Sequence, residues 1–262
     1  MKLLEASGVS LAFRGVRALA NVDLGIEEGE LVGIIGPNGS GKSTLFNVLS
    51  GIYRCDQGRI AFAGVRIDHL APAQIVRHGL ARTFQNKRLF GTMTVLENVV
   101  VAALRQGGGS AAGDVLGLAG SRAAMSAAWD LAHRCLARVQ LADWGAALAK
   151  DLPYGAQNRL EIARALALQP KLLLLDEPAA GLNPSERSEL RALIQAVHAE
   201  GVTIALVEHD VRMVTGLCER VIALDHGEKI ADGPPAWVIE DPRVIAAYFG
   251  EADSEEAGHG VA

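Results

Sequence analysis

The nine residues GPNGSGKST, Gly36–Thr44, stand between the apolar runs Leu31–Ile35 and Leu45–Leu49. The first run reads as a buried strand and the second as the start of a helix. Gly36, Gly41, Lys42 and Ser43 fit the spacing G-x-x-x-x-G-K-[ST], which requires this strand–loop–helix setting. Glycines at positions 36, 39 and 41 lack a Cβ, so the backbone can turn through positive φ and come close to a ligand. Successive N–H groups then converge as an anion nest at a helix N-terminus. Lys42 adds a mobile cation for outer phosphates. Ser43 offers a hydroxyl to magnesium, and Thr44 can donate to a phosphate. The whole loop, with Pro37, Asn38 and Ser40, reads as a triphosphate cradle rather than an ordinary glycine-rich turn.

Two later segments supply the rest of a hydrolytic site. LLLLDEP, Leu172–Pro178, places two carboxylates at the end of a buried strand. Magnesium takes oxygen ligands and keeps several waters, so Asp176 suits it directly or through water. Glu177 is placed to polarise an attacking water. LVEHD, Leu206–Asp210, ends another strand with His209, a donor for a terminal phosphate. A lone histidine is more often a polar strand-end residue, and the other six histidines keep that reading.

The chain has 262 residues, a net charge of −5 and 50% hydrophobic residues. A large core can be buried, and a nucleic-acid partner is disfavoured. No apolar stretch approaches a membrane span, and Met1-Lys2-Leu3-Leu4 leads at once to Glu5, unlike a signal peptide. Cys55, Cys135 and Cys218 are too few and too scattered for a zinc site or a disulfide framework.

Alternating runs predict strands over 2–13 and 17–28 and a hairpin within Gly58–Asp68, forming an antiparallel unit beside the loop. From Ala71 to about Leu168 the pattern is helical, interrupted by a Gly/Ala/Ser-rich connection at Gln106–Gly120 and containing a helix over Ser121–Val139. Further strands are expected at Leu172–Leu175, Val202–Val207 and Val221–Leu224. A helix over Pro184–Ala199 is expected to be capped by Asn183. Strands alternating with helices imply a parallel sheet covered on both faces. The acidic tail from Glu251 lacks a core pattern and reads as disordered.

These residues resemble the ATP-binding subunits of ABC transporters over roughly residues 1–250. LPYGAQNRLEIARALA, Leu152–Ala167, is similar to the family's signature segment, normally LSGGQ, and precedes the LLLLDEP strand. The resemblance implies an α/β P-loop NTPase core with a mostly parallel sheet, an antiparallel β subdomain and a helical signature subdomain at about 71–168. It implies ATP and Mg2+ as ligands, with Gln85 of ARTFQN joining Ser43 and Asp176 at the metal and joining Glu177 and His209 in catalysis. Phe13 stands where an aromatic stacks on adenine; a core strand residue is the other reading. Tyr154, Gly155 and Ala156 would reach the nucleotide of a second ATPase subunit across a dimer interface. Ala180–Asn183 stands at the family's D-loop.

Within the family, ARTFQNKRLFGTMTVLENVVVA, YGAQNRLEIARAL, DEPAAGLNPSE and DPRVIAAYFGE resemble the longer ATPase subunit of branched-chain amino acid importers. Importers of urea or short amides and the lipopolysaccharide-exporting ATPase are alternatives. So is a soluble ABC-type ATPase acting on nucleic acid or ribosomes. The implied partners are a second ATPase subunit, permease subunits and, indirectly, a substrate-binding protein. The implied location is the cytoplasmic face of the inner membrane, with Lys87, Arg88, Leu89 and Phe90 at the docking site. Three positions depart from the family pattern. Pro153 replaces serine and Ala156 replaces glutamine in the signature, and Asn183 replaces aspartate in the D-loop. Pro153 is expected at the first helical position.

Overall fold

The computed structural model describes residues 2–84, 88–104 and 119–249. β1 (Lys2–Phe13) and β2 (Val16–Glu27) are joined through Arg14 and Gly15, with φ of 48° and 90°. Two consecutive positive φ values give the tight hairpin turn whose twist matches that of its strands. Ala63 and Gly64, at 49° and 77°, make the same turn between β4 (Gln57–Phe62) and β5 (Val65–Arg66). The four strands form an antiparallel sheet in the order β2-β1-β4-β5.

The second sheet contains β3 (Leu31–Ile35), β6 (Leu80–Arg82), β7 (Leu172–Asp176), β8 (Thr203–Val207), β9 (Arg220–Asp225) and β10 (Glu228–Gly233). Its order is β10-β9-β3-β8-β7-β6, parallel throughout except for β10, which runs against β9. β3, β7 and β8 are buried at every position, which accounts for their uninterrupted apolar sequences. Successive side chains alternate between two cores. Leu172 and Leu174 pack with α1 (Lys42–Leu49) and the antiparallel sheet. Leu173 and Leu175 face a core formed with α3 (Val95–Leu104), α4 (Ala119–Arg138), α5 (Tyr154–Leu166), α6 (Pro184–Ala199) and α7 (Val211–Thr215). This two-sided burial brings the ends of β3, β7 and β8 to one edge, where ligands bind in such sheets.

Two strands depart from the sequence expectation. β6 lies inside the stretch read as helical, directly after α2 (Pro72–Arg77). Three residues carry no visible period; pairing with β7 (Leu80↔Leu172, Ala81↔Leu173, Arg82↔Leu174) makes them a strand. β10 is polar, EKIADG, as suits an edge strand, and so shows no apolar signal. β2 starts one residue earlier than expected, and α4 begins at Ala119, so Gly120 is helical. The rest of the expected connection, 106–118, and the tail from Glu251 lie outside the described residues. Asn183 caps α6 as expected: it accepts the Glu186 N–H at 3.0 Å, and Glu186 accepts the Asn183 N–H at 3.0 Å.

Candidate nucleotide-binding active site

The phosphate loop leaves β3 at Gly36, whose φ is 150°. A Cβ there would overlap the Leu224 carbonyl oxygen and crowd Ser40 Oγ, so only glycine fits. Gly39 (79°) and Gly41 (103°) turn the chain into α1, where Gly41 is the N-cap and no side chain caps the first amides. These N–H groups can therefore turn to an anion. Lys42 is buried, and its Nζ donates to Gly36 O and Pro37 O at 2.7 Å and to Ser40 Oγ at 3.4 Å.

A cleft of about 270 Å3 opens over this loop, and its wall includes Lys42, Ser43, Thr44, Glu177 and His209. Glu177 and His209 arrive from the ends of adjacent parallel strands. The Glu177 N–H donates to Val207 O at 2.9 Å, and Glu177 has a φ of 48°. A non-glycine residue in this region is uncommon and persists where the surrounding structure holds it. His209 Nε2 lies 2.6 Å from Glu177 Oε1. A carboxylate only accepts, so a hydrogen bond in this pair needs the proton on Nε2.

Asp176 is buried at the end of β7. Its Oδ2 accepts from Arg82 Nη2 at 2.7 Å, while its Oδ1 is buried without a hydrogen-bond partner. Arg82 Nη1 donates to Asn47 Oδ1 at 2.7 Å and Ser50 Oγ at 3.1 Å, tying β6 to the end of α1. The guanidinium also lies over the rings of Phe46 (5.7 Å) and Phe84 (5.3 Å). The orphaned Asp176 oxygen suits a hard cation that takes its other ligands from phosphate and water. Among the described residues no group of three or more His, Cys, Asp or Glu could hold a metal by itself, so magnesium here would depend on the nucleotide. Gln85, the further ligand implied by the resemblance, lies outside the described residues.

Sequence reasoning missed Arg82 and Glu208. Arg82 carries a signal only in retrospect, as a charge ending the short edge strand β6. Glu208 is buried and accepts the Ala179 N–H at 2.7 Å, linking the end of β8 to the segment after Glu177. Burial raises its pKa to about 7.

The other residues expected at the site are not among those lining this cleft. Phe13 is 42% exposed at the β1–β2 turn, with its ring edge-on to Tyr53 at 5.2 Å, so the core reading fails. Pro153 is the N-cap of α5, one position before that expected from sequence, with φ −53° and ψ 153°. Tyr154 is half exposed and lies against Gly181, where a Cβ would come within 3.0 Å of its ring. A Cβ on Gly155 would meet Glu186 Oε1 of the same chain at 2.6 Å. Ala156 is buried, so it can offer a ligand only its backbone.

The family model for ABC transporters matches residues 19–180. The chain belongs to the ABC transporter family. It is an ATPase of that family. A second model, the branched-chain amino acid ATP-binding cassette transporter, matches residues 228–254. The chain is 41% identical to the high-affinity branched-chain amino acid transport ATP-binding protein BraF of Pseudomonas aeruginosa, covering 95% of this chain and 98% of that one. A nucleotide-free ATP-binding cassette from an ABC transporter has 29% identity and a TM-score of 0.83, covering 95% of this chain and 99% of that one. A dimeric cassette bound to ADP and phosphate has 26% identity and a TM-score of 0.76, with coverage of 88% and 98%. Among the described residues no helix is long and apolar enough to cross a membrane.

Proposed function

We propose that this subunit binds ATP with magnesium in the Gly36–His209 cleft, pairs with a second ATPase subunit, and drives branched-chain amino acid uptake through a membrane permease. The observation that carries the hydrolytic role is the 2.6 Å His209–Glu177 pair on the wall facing Lys42. The similarity to BraF and the match over residues 228–254 support the amino-acid substrate class.

Each residue has a defined task. The amides of Gly39–Thr44 receive the phosphates, and Lys42 exchanges its carbonyl partners for the outer phosphate oxygens. Ser43 and Asp176 Oδ1, with Gln85, would hold magnesium, which would supply positive charge to the phosphates. Glu177 accepts proton density from the attacking water, and His209 holds that carboxylate and faces the γ-phosphate. Phe13 offers an exposed ring to the adenine. Tyr154, Gly155 and Ala156, at the start of a 13-residue helix, would serve the nucleotide of the partner subunit through backbone amides and the helix dipole.

The permease contact is assigned to a largely apolar cavity of about 420 Å3 whose walls include Ile52, Leu80, Arg88, Phe90 and Arg164. Phe90 is exposed, and the Arg164 guanidinium lies 5.0 Å over its ring. Leu89 instead packs against the core, so Phe90 carries the contact expected of the pair. Lys87 lies outside the described residues. Docking there would place the subunit peripherally, on the cytoplasmic face.

The test is reconstitution with a permease pair and a periplasmic binding protein in vesicles supplied with ATP. Uptake of labelled leucine that is lost with Glu177→Gln is the expected result. Uptake of urea but not leucine would replace the substrate class; no ATP hydrolysis by the assembled wild type would reject the catalytic assignment.

A further inference from the structure

The peptide units around Gly36 are held by two side chains far apart in sequence. Lys42 Nζ donates to the Gly36 carbonyl oxygen at 2.7 Å. The Gly36 N–H donates at 2.8 Å to the hydroxyl of Tyr248, 212 residues away. Tyr248 lies in α9 (Pro242–Phe249), which follows α8 (Pro235–Glu240) and docks through buried Val244, while its own ring packs on the same core.

The same part of the chain supports the loop at two more points. The Gly227 N–H, in the turn between β9 and β10, donates to Ser40 O at 3.0 Å. The Leu224 carbonyl fills the space beside Gly36, and Gly227 Cα stands 3.4 Å from where a Gly41 Cβ would lie. The segment 224–248 thus forms a backing plate behind the phosphate loop, and Tyr248 supplies its one side-chain hydrogen bond to the loop backbone among the described residues.

We propose that Tyr248 is a positioning residue for nucleotide binding, holding the entrance of the phosphate loop through the Gly36 N–H. The need for it follows from the task of Lys42. When that ammonium turns to the triphosphate, the Gly36 and Pro37 carbonyls lose the cation that ties the loop together. The Tyr248 bond lies behind the loop, involves no phosphate-facing group, and persists through that exchange. A buried N–H at this junction would otherwise lack a partner. A loop held in its binding shape loses less freedom when the ligand arrives, so the bond acts on affinity rather than on the chemical step. This rests on reading Gly36–Thr44 as the nucleotide loop.

Tyr248→Phe removes one oxygen and leaves the ring in place. In the full chain, the affinity for a non-hydrolysable ATP analogue with magnesium, measured by calorimetry, should weaken about three- to tenfold, the effect of one net hydrogen bond. KM for ATP should rise by a similar factor, with kcat at saturating ATP within about twofold of the parent. Amide exchange in a peptide containing Gly36 should accelerate. Unchanged affinity and unchanged exchange at Gly36 would overturn the proposal, as would a lower Tm with KM unaltered, which marks a packing residue. Wild-type protein that binds no nucleotide would reject the loop assignment itself, an outcome distinct from a Tyr248→Phe variant that binds as well as its parent.

Discussion

His209 Nε2 stands 2.6 Å from Glu177 Oε1, although the two residues end different strands. The side chain of Glu177 is 8% exposed and that of His209 is 45% exposed, so the histidine faces the open cleft while the carboxylate sits behind it. Glu177→Gln retains the shape but cannot take a proton, so ATP binding should persist while turnover falls by about 10²-fold or more. Turnover at the parental rate, with magnesium present, would contradict the assignment of Glu177 as the base. Lys42→Ala should instead weaken ATP binding in calorimetric titration.

Arg82 neutralises Asp176 inside the protein, with side chains 6% and 2% exposed. Removing one partner of a buried pair strands the other charge, a loss of about 3–5 kcal/mol. Arg82→Met should therefore lower stability by an amount of that order in urea denaturation and release Asp176 from its orientation. Arg82→Lys should recover only part, because an ammonium cannot reach Asp176, Asn47 and Ser50 together from between two rings. A stability equal to wild type for Arg82→Met would show that the pair carries no such constraint.

Glu208 predicts a pH signature. Burial raises its pKa from 4.5 to about 7, so between these values the folded chain holds a proton that the unfolded chain releases. Its contribution is fully present below about pH 4.5 and is lost as pH rises through 7, on the order of 3 kcal/mol in total. Glu208→Gln keeps an acceptor for the Ala179 amide without the titration. Stability of the wild type relative to this variant should fall across that window in denaturant melts at several pH values; parallel curves would refute it.

Gly155 needs a two-part test, because its Cβ would strike Glu186 within the same subunit. In a Glu177→Gln background with ATP, Gly155→Asp should abolish the dimer in size-exclusion chromatography, since a carboxylate would face the partner's phosphate. The double change Gly155→Asp with Glu186→Ala makes room in the same chain and should still fail to dimerise. Recovery of the dimer in the double variant would trace the defect to the internal clash.

Phe90→Asp should leave ATP hydrolysis by the isolated subunit intact while reducing co-purification with the permease and substrate uptake. Leu89→Asp should lower Tm as well, because that side chain packs on the core. Loss of isolated ATPase activity in Phe90→Asp would remove this residue from the docking surface.

The local geometry was legible in the sequence. Glycine spacing around Lys42, four leucines before Asp176 and the strand ahead of His209 each specify backbone geometry within a few residues, and the structure joins their ends in one cleft. The hairpin turns and the Asn183 cap are likewise short-range, set by allowed φ and by side-chain-to-backbone hydrogen bonds. The partners that hold the site were decided by tertiary structure. Arg82 meets Asp176 across 94 residues, Glu208 meets Ala179 across 29, and Tyr248 meets Gly36 across 212. Strands β6 and β10 have the same origin: one is too short to show a period and the other too polar to show an apolar run, and both exist because a neighbouring strand offers its hydrogen bonds. Periodicity and motif spacing encode what each segment prefers by itself; which buried charge finds its counterion, and which amide finds a hydroxyl, depends on how the sheet stacks its strands.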